Sequence, residues 1–111
     1  MATVQEAFRR ATIGDPAFIA AIADAEGHDL GISRLDARTE ALLRIAALVA
    51  VDAPPSSYRD AVEAAQRSGA RLDDLFAVLL AVGRDVGSAR VVAAAPRIAL
   101  AAGYDVEAAL E

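Results

Sequence analysis

Two pairs of opposite charge interrupt otherwise apolar helical runs, and they are the residues of this 111-residue chain best placed to do chemistry. Glu40 and Arg44 stand four apart in LDARTEALLRIAALVAVDA, where only Arg44 is polar between Ala41 and Val51. Arg84 and Asp85 break the run LDDLFAVLLAVGRDVG close to Gly83 and Gly87. An arginine on such a background, in a pocket or at a subunit contact, would hold a carboxylate, because its planar fork matches the two oxygens. Glu40, Asp60 or Asp85 would then move the proton. The plainer account of Glu40 and Arg44 is an i,i+4 salt bridge on a solvated stripe, worth about 0.3 kcal/mol. Arg84 and Asp85 must reach solvent, each other or a partner chain. These five residues are pocket or interface candidates, and no residue is assigned a catalytic role.

Other reactive side chains read as structural. Ser56 and Ser57 would need a base, and Asp60 or Glu63 is a weak one for a hydroxyl. Helix capping accounts for both serines. His28 lies in a glycine-flanked loop beside Asp29, with no second histidine or cysteine to complete a metal site. Asp73 and Asp74 fall in the first turn of a helix, where the macrodipole favours carboxylates. Tyr58 and Tyr104 read as half-buried packing residues with a wet hydroxyl. Neither a metal nor a cofactor is expected.

Composition limits the partners. The net charge is −5, all eleven basic residues are arginine, and no basic cluster exceeds Arg9-Arg10. Such a chain lacks the electrostatic footprint of a nucleic-acid binder. The bias towards arginine and alanine fits a GC-rich bacterial genome. No cysteine is present and only three Phe and two Tyr are aromatic. The core must therefore be packed from Ala, Val, Leu and Ile without disulfides or thiolate–metal bonds. Mean hydropathy is positive, at +0.36, which predicts apolar surface covered in an assembly. Met1 is followed by a mixed polar stretch rather than a basic region and an apolar run, so a cytoplasmic address is expected. No run is long enough to span a bilayer.

The elements that must position these residues are helices. Residues 4–10 predict a short helix with Val4 and Phe8 on one side. Asp15-Pro16 is a start signal for PAFIAAIADAE, with Phe18, Ile19 and Ile22 as its apolar stripe and Gly27 closing it. Asp36 is the expected N-cap of a central helix, apolar nearly all round, that Pro54-Pro55 stops. Ser56 or Ser57 caps YRDAVEAAQRSG, with Asp60 completing a capping box and Gly69 at its C-terminus. Leu72 opens the next helix, whose buried face is read as Leu75, Phe76, Leu79, Leu80 and Val82. Ser88 caps SARVVAAA, Pro96 kinks that helix or starts another, Gly103 ends it, and Asp105 caps VEAALE. No period-two strand pattern appears. One all-α domain of five to six helices over residues 1–111 follows.

The order of these signals resembles the carboxymuconolactone decarboxylase and alkylhydroperoxidase-like family. The residues that carry the likeness are LDARTEALLRIAALVAVDA, then YRDAVEAAQRSGARLDDLFAVLLAV, then VG and a new helix. Members show L-D-x-[KR]-T-x-E-L-I, an Ala/Val helix, C-x-x-C followed by His, and A-G-A-T before an acidic helix start. SGARLDDL stands for that last element, with Arg71 in place of Thr. About half the chain is covered, and the tail VVAAAPRIALAAGYDVEAALE fits as well. The resemblance implies an alkylhydroperoxidase-like helical bundle that assembles as a trimer or a hexamer.

The family's chemistry does not carry over. Aligned backwards from SGAR, the two cysteine positions hold Pro54 and Ser57 and the histidine position Ala61. Aligned forwards from LDART, they hold Ala53 and Ser56, with Asp60 for the histidine. The family's relay Glu falls on Ala41 or Leu42. Thiol peroxidase chemistry needs one thiolate to attack the peroxide and a second to resolve the sulfenate, and this chain has neither. The expectation is a non-redox member, a small-molecule-binding or assembly protein. The alternative is an enzyme of lactone or carboxylic-acid chemistry. A small organic acid or lactone is the ligand either would take.

Overall fold

The computed structural model describes residues 3–24 and 30–106. They fall in two compact units, Met1–Arg34 and Leu35–Glu111. Every regular element among the described residues is helical: α1 Val4–Thr12, α2 Pro16–Ala23, α3 Ala37–Ala50, α4 Pro55–Arg67, α5 Leu72–Val86 and α6 Ser88–Ala101. None is long and apolar enough to cross a membrane.

The first unit is a helical pair with well-made starts. Thr3 caps α1 by accepting from the Glu6 amide at 3.1 Å. Asp15 caps α2 by accepting from the Ala17 and Phe18 amides, with Pro16 in the first helical position as expected. Arg10 links the two helices, bonding Asp15 at 3.1 Å and lying 4.7 Å from the centre of the Phe18 ring. Of the predicted α2 stripe only Phe18 is buried; Ile19 and Ile22 are exposed. The predicted helix end at Gly27, and His28, lie outside the described residues.

The second unit is a four-helix arrangement in which α3 packs against α4, α5 and α6. Its core is Ile45 and Val49 from α3, Tyr58 and Val62 from α4, Leu75 and Leu79 from α5, and Ile98 from α6. Alanines 41, 61, 65 and 94 lie between them, and their small side chains let the helix backbones approach. Asp36 caps α3 as the sequence predicts, accepting from the Thr39 amide at 2.8 Å. Arg38 reaches across to Asp74 of α5 at 2.7 Å.

Four local readings are corrected. α3 ends at Ala50, ahead of the prolines, and one side of it, including Leu43 and Arg44, faces solvent. α4 takes Pro54 as N-cap and Pro55 as its first residue, so Ser56 and Ser57 lie inside the first turn and cap nothing. Proline holds φ near −65° and lacks the N–H that a cap would serve, so it displaces serine there. α6 begins at Ser88 directly after Gly87, whose φ of +91° suits glycine and separates it from α5. Of the two readings left open for Pro96, a new helix is set aside: the proline lies within α6, one helix from Ser88 to Ala101. The fourth correction concerns α5. Leu75, Val78 and Leu79 are buried, whereas Phe76 is 59% and Leu80 74% exposed. The helix carries more large apolar residues than one buried arc can hold, and these two fall on the opposite side.

Candidate functional site

The five charged candidates do not converge. Glu40 is half-buried in the first turn of α3, Arg44 is exposed one turn later, and Asp60 is exposed on α4. Arg84 and Asp85 are exposed in the last turn of α5. The side chains of Arg44, Asp60, Arg84 and Asp85 enter no hydrogen bond or ion pair among the described residues. None of the five lines any of three grooves between the helices.

The polar centre of the second unit lies instead where the α3–α4 turn meets α6. The turn is built on Asp52, whose φ of +52° is left-handed; aspartate tolerates that conformation better than most residues. Its amide donates to the Val49 carbonyl at 3.2 Å, and the Ala53 amide donates to Leu48 at 3.0 Å. From α6, one terminal nitrogen of Arg97 donates to the Asp52 carboxylate at 3.1 Å and to the Ala53 carbonyl at 2.8 Å. A single guanidinium thus pins the turn that leads into α4. Beneath it, Tyr58 is fully buried. Its hydroxyl is the one buried side-chain polar atom without a hydrogen-bond partner among the described residues. Burial pushes its pKa above the ordinary tyrosine value; Arg97 opposes the shift and Asp52 adds to it. Tyr58 is therefore buried rather than half-buried, because α4 turns it to the side that carries Ala61, Val62 and Ala65. Tyr104, by contrast, is 51% exposed.

Next to this joint, a groove of about 550 Å³ runs between α4 and α6, lined by Pro55, Arg59, Pro96, Arg97 and Leu100 among others. Its volume is in the range of small-molecule sites. Arg59 lines it without a side-chain hydrogen bond or ion pair among the described residues, while Arg97 is held by Asp52. A second groove, about 540 Å³ and almost wholly apolar, separates α5 from α6 along Leu72, Phe76, Leu79, Pro96 and Tyr104. A third, about 230 Å³, lies between α3 and α5 beside Leu42, Leu43, Ala46, Ala77 and Ala81.

Sequence reasoning missed Arg97, Arg59 and the burial of Tyr58. Arg97 and Tyr58 each leave a local mark, though neither marks the contact it makes. Arg97 is the only charge between Arg90 and Asp105, and Tyr58, Ala61, Val62 and Ala65 repeat at i, i+3, i+4 and i+7.

Among the described residues no group of three or more His, Cys, Asp or Glu side chains is arranged to hold a metal ion. The start of α4, where the resemblance places the two cysteines, carries Ala53, Pro54, Ser56 and Ser57. In comparisons with known proteins, no family model matches the chain, and no curated protein or solved structure is significantly similar to it.

Proposed function

We propose that this chain is a non-redox member of the carboxymuconolactone decarboxylase-like family that acts as a homo-oligomeric assembly protein, a trimer or a hexamer. The observation that carries the reading is the apolar surface left outside a completed core. Phe76, Leu80, Leu43, Val92 and Leu100 are all more than half exposed, outside the core that α3, α4, α5 and α6 share. Covering such side chains against a second copy would remove their apolar area from water, which is favourable. With no cysteine in the sequence, the thiol-based peroxide reduction of that family has no nucleophile here.

Light scattering on the purified chain tests the reading. The expected particle mass is three or six times the 11.5 kDa of one chain. A monodisperse monomer at micromolar concentration would remove it.

A second reading, binding of a small organic acid, is supported by the α4–α6 groove, whose lining sets two arginines against one carboxylate, Asp105. In it Arg59 and Arg97 take the carboxylate-holding role that the sequence assigned to Arg44 or Arg84. Simple mono- and dicarboxylates such as benzoate and succinate should raise the melting temperature of the wild type and not of Arg59→Gln. Equal shifts in both proteins would refute this site.

A further inference from the structure

The outer face of α5 is patterned to meet another α5. At 100° per residue, Asp73, Ala77, Leu80 and Arg84 fall within an arc of roughly 60°, opposite the buried Leu75, Val78 and Leu79. On one flank of this seam, Phe76 stands at the edge of the α5–α6 groove. On the other flank, Ala77 and Ala81 line the α3–α5 groove. Asp73, in the first turn of α5, and Arg84, in its last, are exposed, and their side chains make no hydrogen bond or ion pair among the described residues.

We propose that α5 of one copy packs antiparallel against α5 of a second copy across a two-fold axis, with Asp73 of each facing Arg84 of the other. The proposal rests on the homo-oligomeric reading and specifies one contact within it. A two-fold arrangement of this kind sets each flank against the same flank of the second copy. Phe76 then meets Leu80 on the α6 flank, and Ala77 meets Ala81 on the α3 flank. The midpoints of these two pairings and of Asp73 with Arg84 all fall between positions 78 and 79, so one register satisfies all three. Bulky side chains fill one flank, and alanines on the other allow the close approach of about 8–10 Å between axes that packed helices need. The charge pattern separates this register from others: parallel pairing would set Asp73 against Asp73 and Arg84 against Arg84. The half-exposed Leu43 beside α5 and Tyr104 beyond it extend the contact towards the roughly 800 Å² per partner typical of stable interfaces. A two-fold contact also selects the copy number. A dimer or a hexamer contains it; a lone trimer does not.

The test exploits the symmetry. In Asp73→Arg both ends of the contact become Arg against Arg, and in Arg84→Asp both become Asp against Asp. A one-to-one mixture restores opposite charges at both ends. The wild type is expected at an even copy number. Each variant alone is expected at half that mass with its helical circular dichroism unchanged, and the mixture should regain the wild-type mass. Variants that keep the wild-type mass overturn the contact, and so do variants that fall apart without recovery on mixing. A wild type that is a lone trimer overturns the contact while leaving the homo-oligomeric reading intact. A monomeric wild type overturns both.

Discussion

The joint between α3, α4 and α6 and the outer face of α5 draw on the same kinds of side chain and leave them in opposite conditions. At the joint, an aromatic residue is completely enclosed, and an arginine from a distant part of the chain ties the covering turn in place. On α5, another aromatic residue and a leucine stand in solvent. The joint is a solved packing problem with one polar atom left over. The outer face is an apolar surplus that the four-helix core does not use. Alanine explains how both arise. With Ala41, Ala61, Ala65 and Ala94 at the contacts, a few larger residues complete the interior, and the remaining leucines and phenylalanine have no internal position to occupy. Stability should therefore concentrate at the joint and association at the outer face.

The strongest way to break that contrast is to truncate one residue on each side of it. Tyr58→Ala should cost about 3–5 kcal/mol, as for large buried aromatic residues generally. Leu80→Ala, at a dilution where copies are apart, should stay within about 0.5 kcal/mol of wild type. Urea unfolding followed by circular dichroism measures both. Equal losses would mean that the outer face is part of the folding core after all.

Tyr58→Phe sharpens the contrast by removing only the leftover atom. A buried hydroxyl without a partner is a net cost, so its deletion should raise stability by about 1 kcal/mol. A fall of similar size would show that the hydroxyl is bonded in solution, by a water or a ligand. The ionisation gives a second readout. The folded-state pKa of Tyr58 lies above its unfolded value. The folded chain therefore holds that proton more tightly, and stability is lost as the pH rises from the unfolded value (about 10) through the folded one. Tyr58→Phe should flatten this alkaline loss.

The contrast between the two regions also shows how far the sequence could be read. Three helix starts were legible because their chemistry is local: Asp15, Asp36 and the first turn of α5 behave as their residue types dictate, whereas the serines expected to cap α4 and α6 lie inside the first turns. Gly69 and Gly103 end helices in left-handed conformations for the same reason. The sidedness of α5 was not legible, because a helix with apolar residues on nearly every position has no single amphipathic arc to read. The centre at Arg97 was hidden for a different reason. Asp52 and Arg97 are 45 residues apart, and nothing in either local stretch announces the other. The charged pairs that look most conspicuous in sequence, Glu40 with Arg44 and Arg84 with Asp85, stand out by their apolar neighbours, yet Arg44, Arg84 and Asp85 are exposed and Glu40 is half-buried.

Acid should loosen the helix starts. The Asp36 carboxyl is held below its usual range by the Thr39 amide and then the Thr39 side chain; that of Asp74 is lowered by the Arg71 amide and then the Arg38 guanidinium. Because the folded values are depressed, the stabilisation is complete above the ordinary aspartate pKa (about 3.9) and is lost as the pH falls through the folded values. The melting temperature should drop through that window, and Asp74→Asn should drop less. An identical acid profile for the variant would show that the Arg38–Asp74 link between α3 and α5 adds nothing.

The smallest effect tests whether burial or charge holds the joint. Asp52 and Arg97 are partly solvent-exposed and 3.1 Å apart, so screening should limit the pair to about 0.5 kcal/mol or less. Asp52→Asn removes the charge but keeps a side chain that accepts the left-handed backbone. Its cost should shrink towards zero at about 1 M salt, where the Debye length is near 3 Å. Asp52→Ala should cost about 1 kcal/mol more, and independently of salt, because alanine pays for the left-handed φ. The Arg97 bond to the Ala53 carbonyl survives both changes, so the turn should stay shut over Tyr58. An Asp52→Asn loss as large as that of Tyr58→Ala would reverse the argument, making the ion pair the element on which the enclosed tyrosine depends.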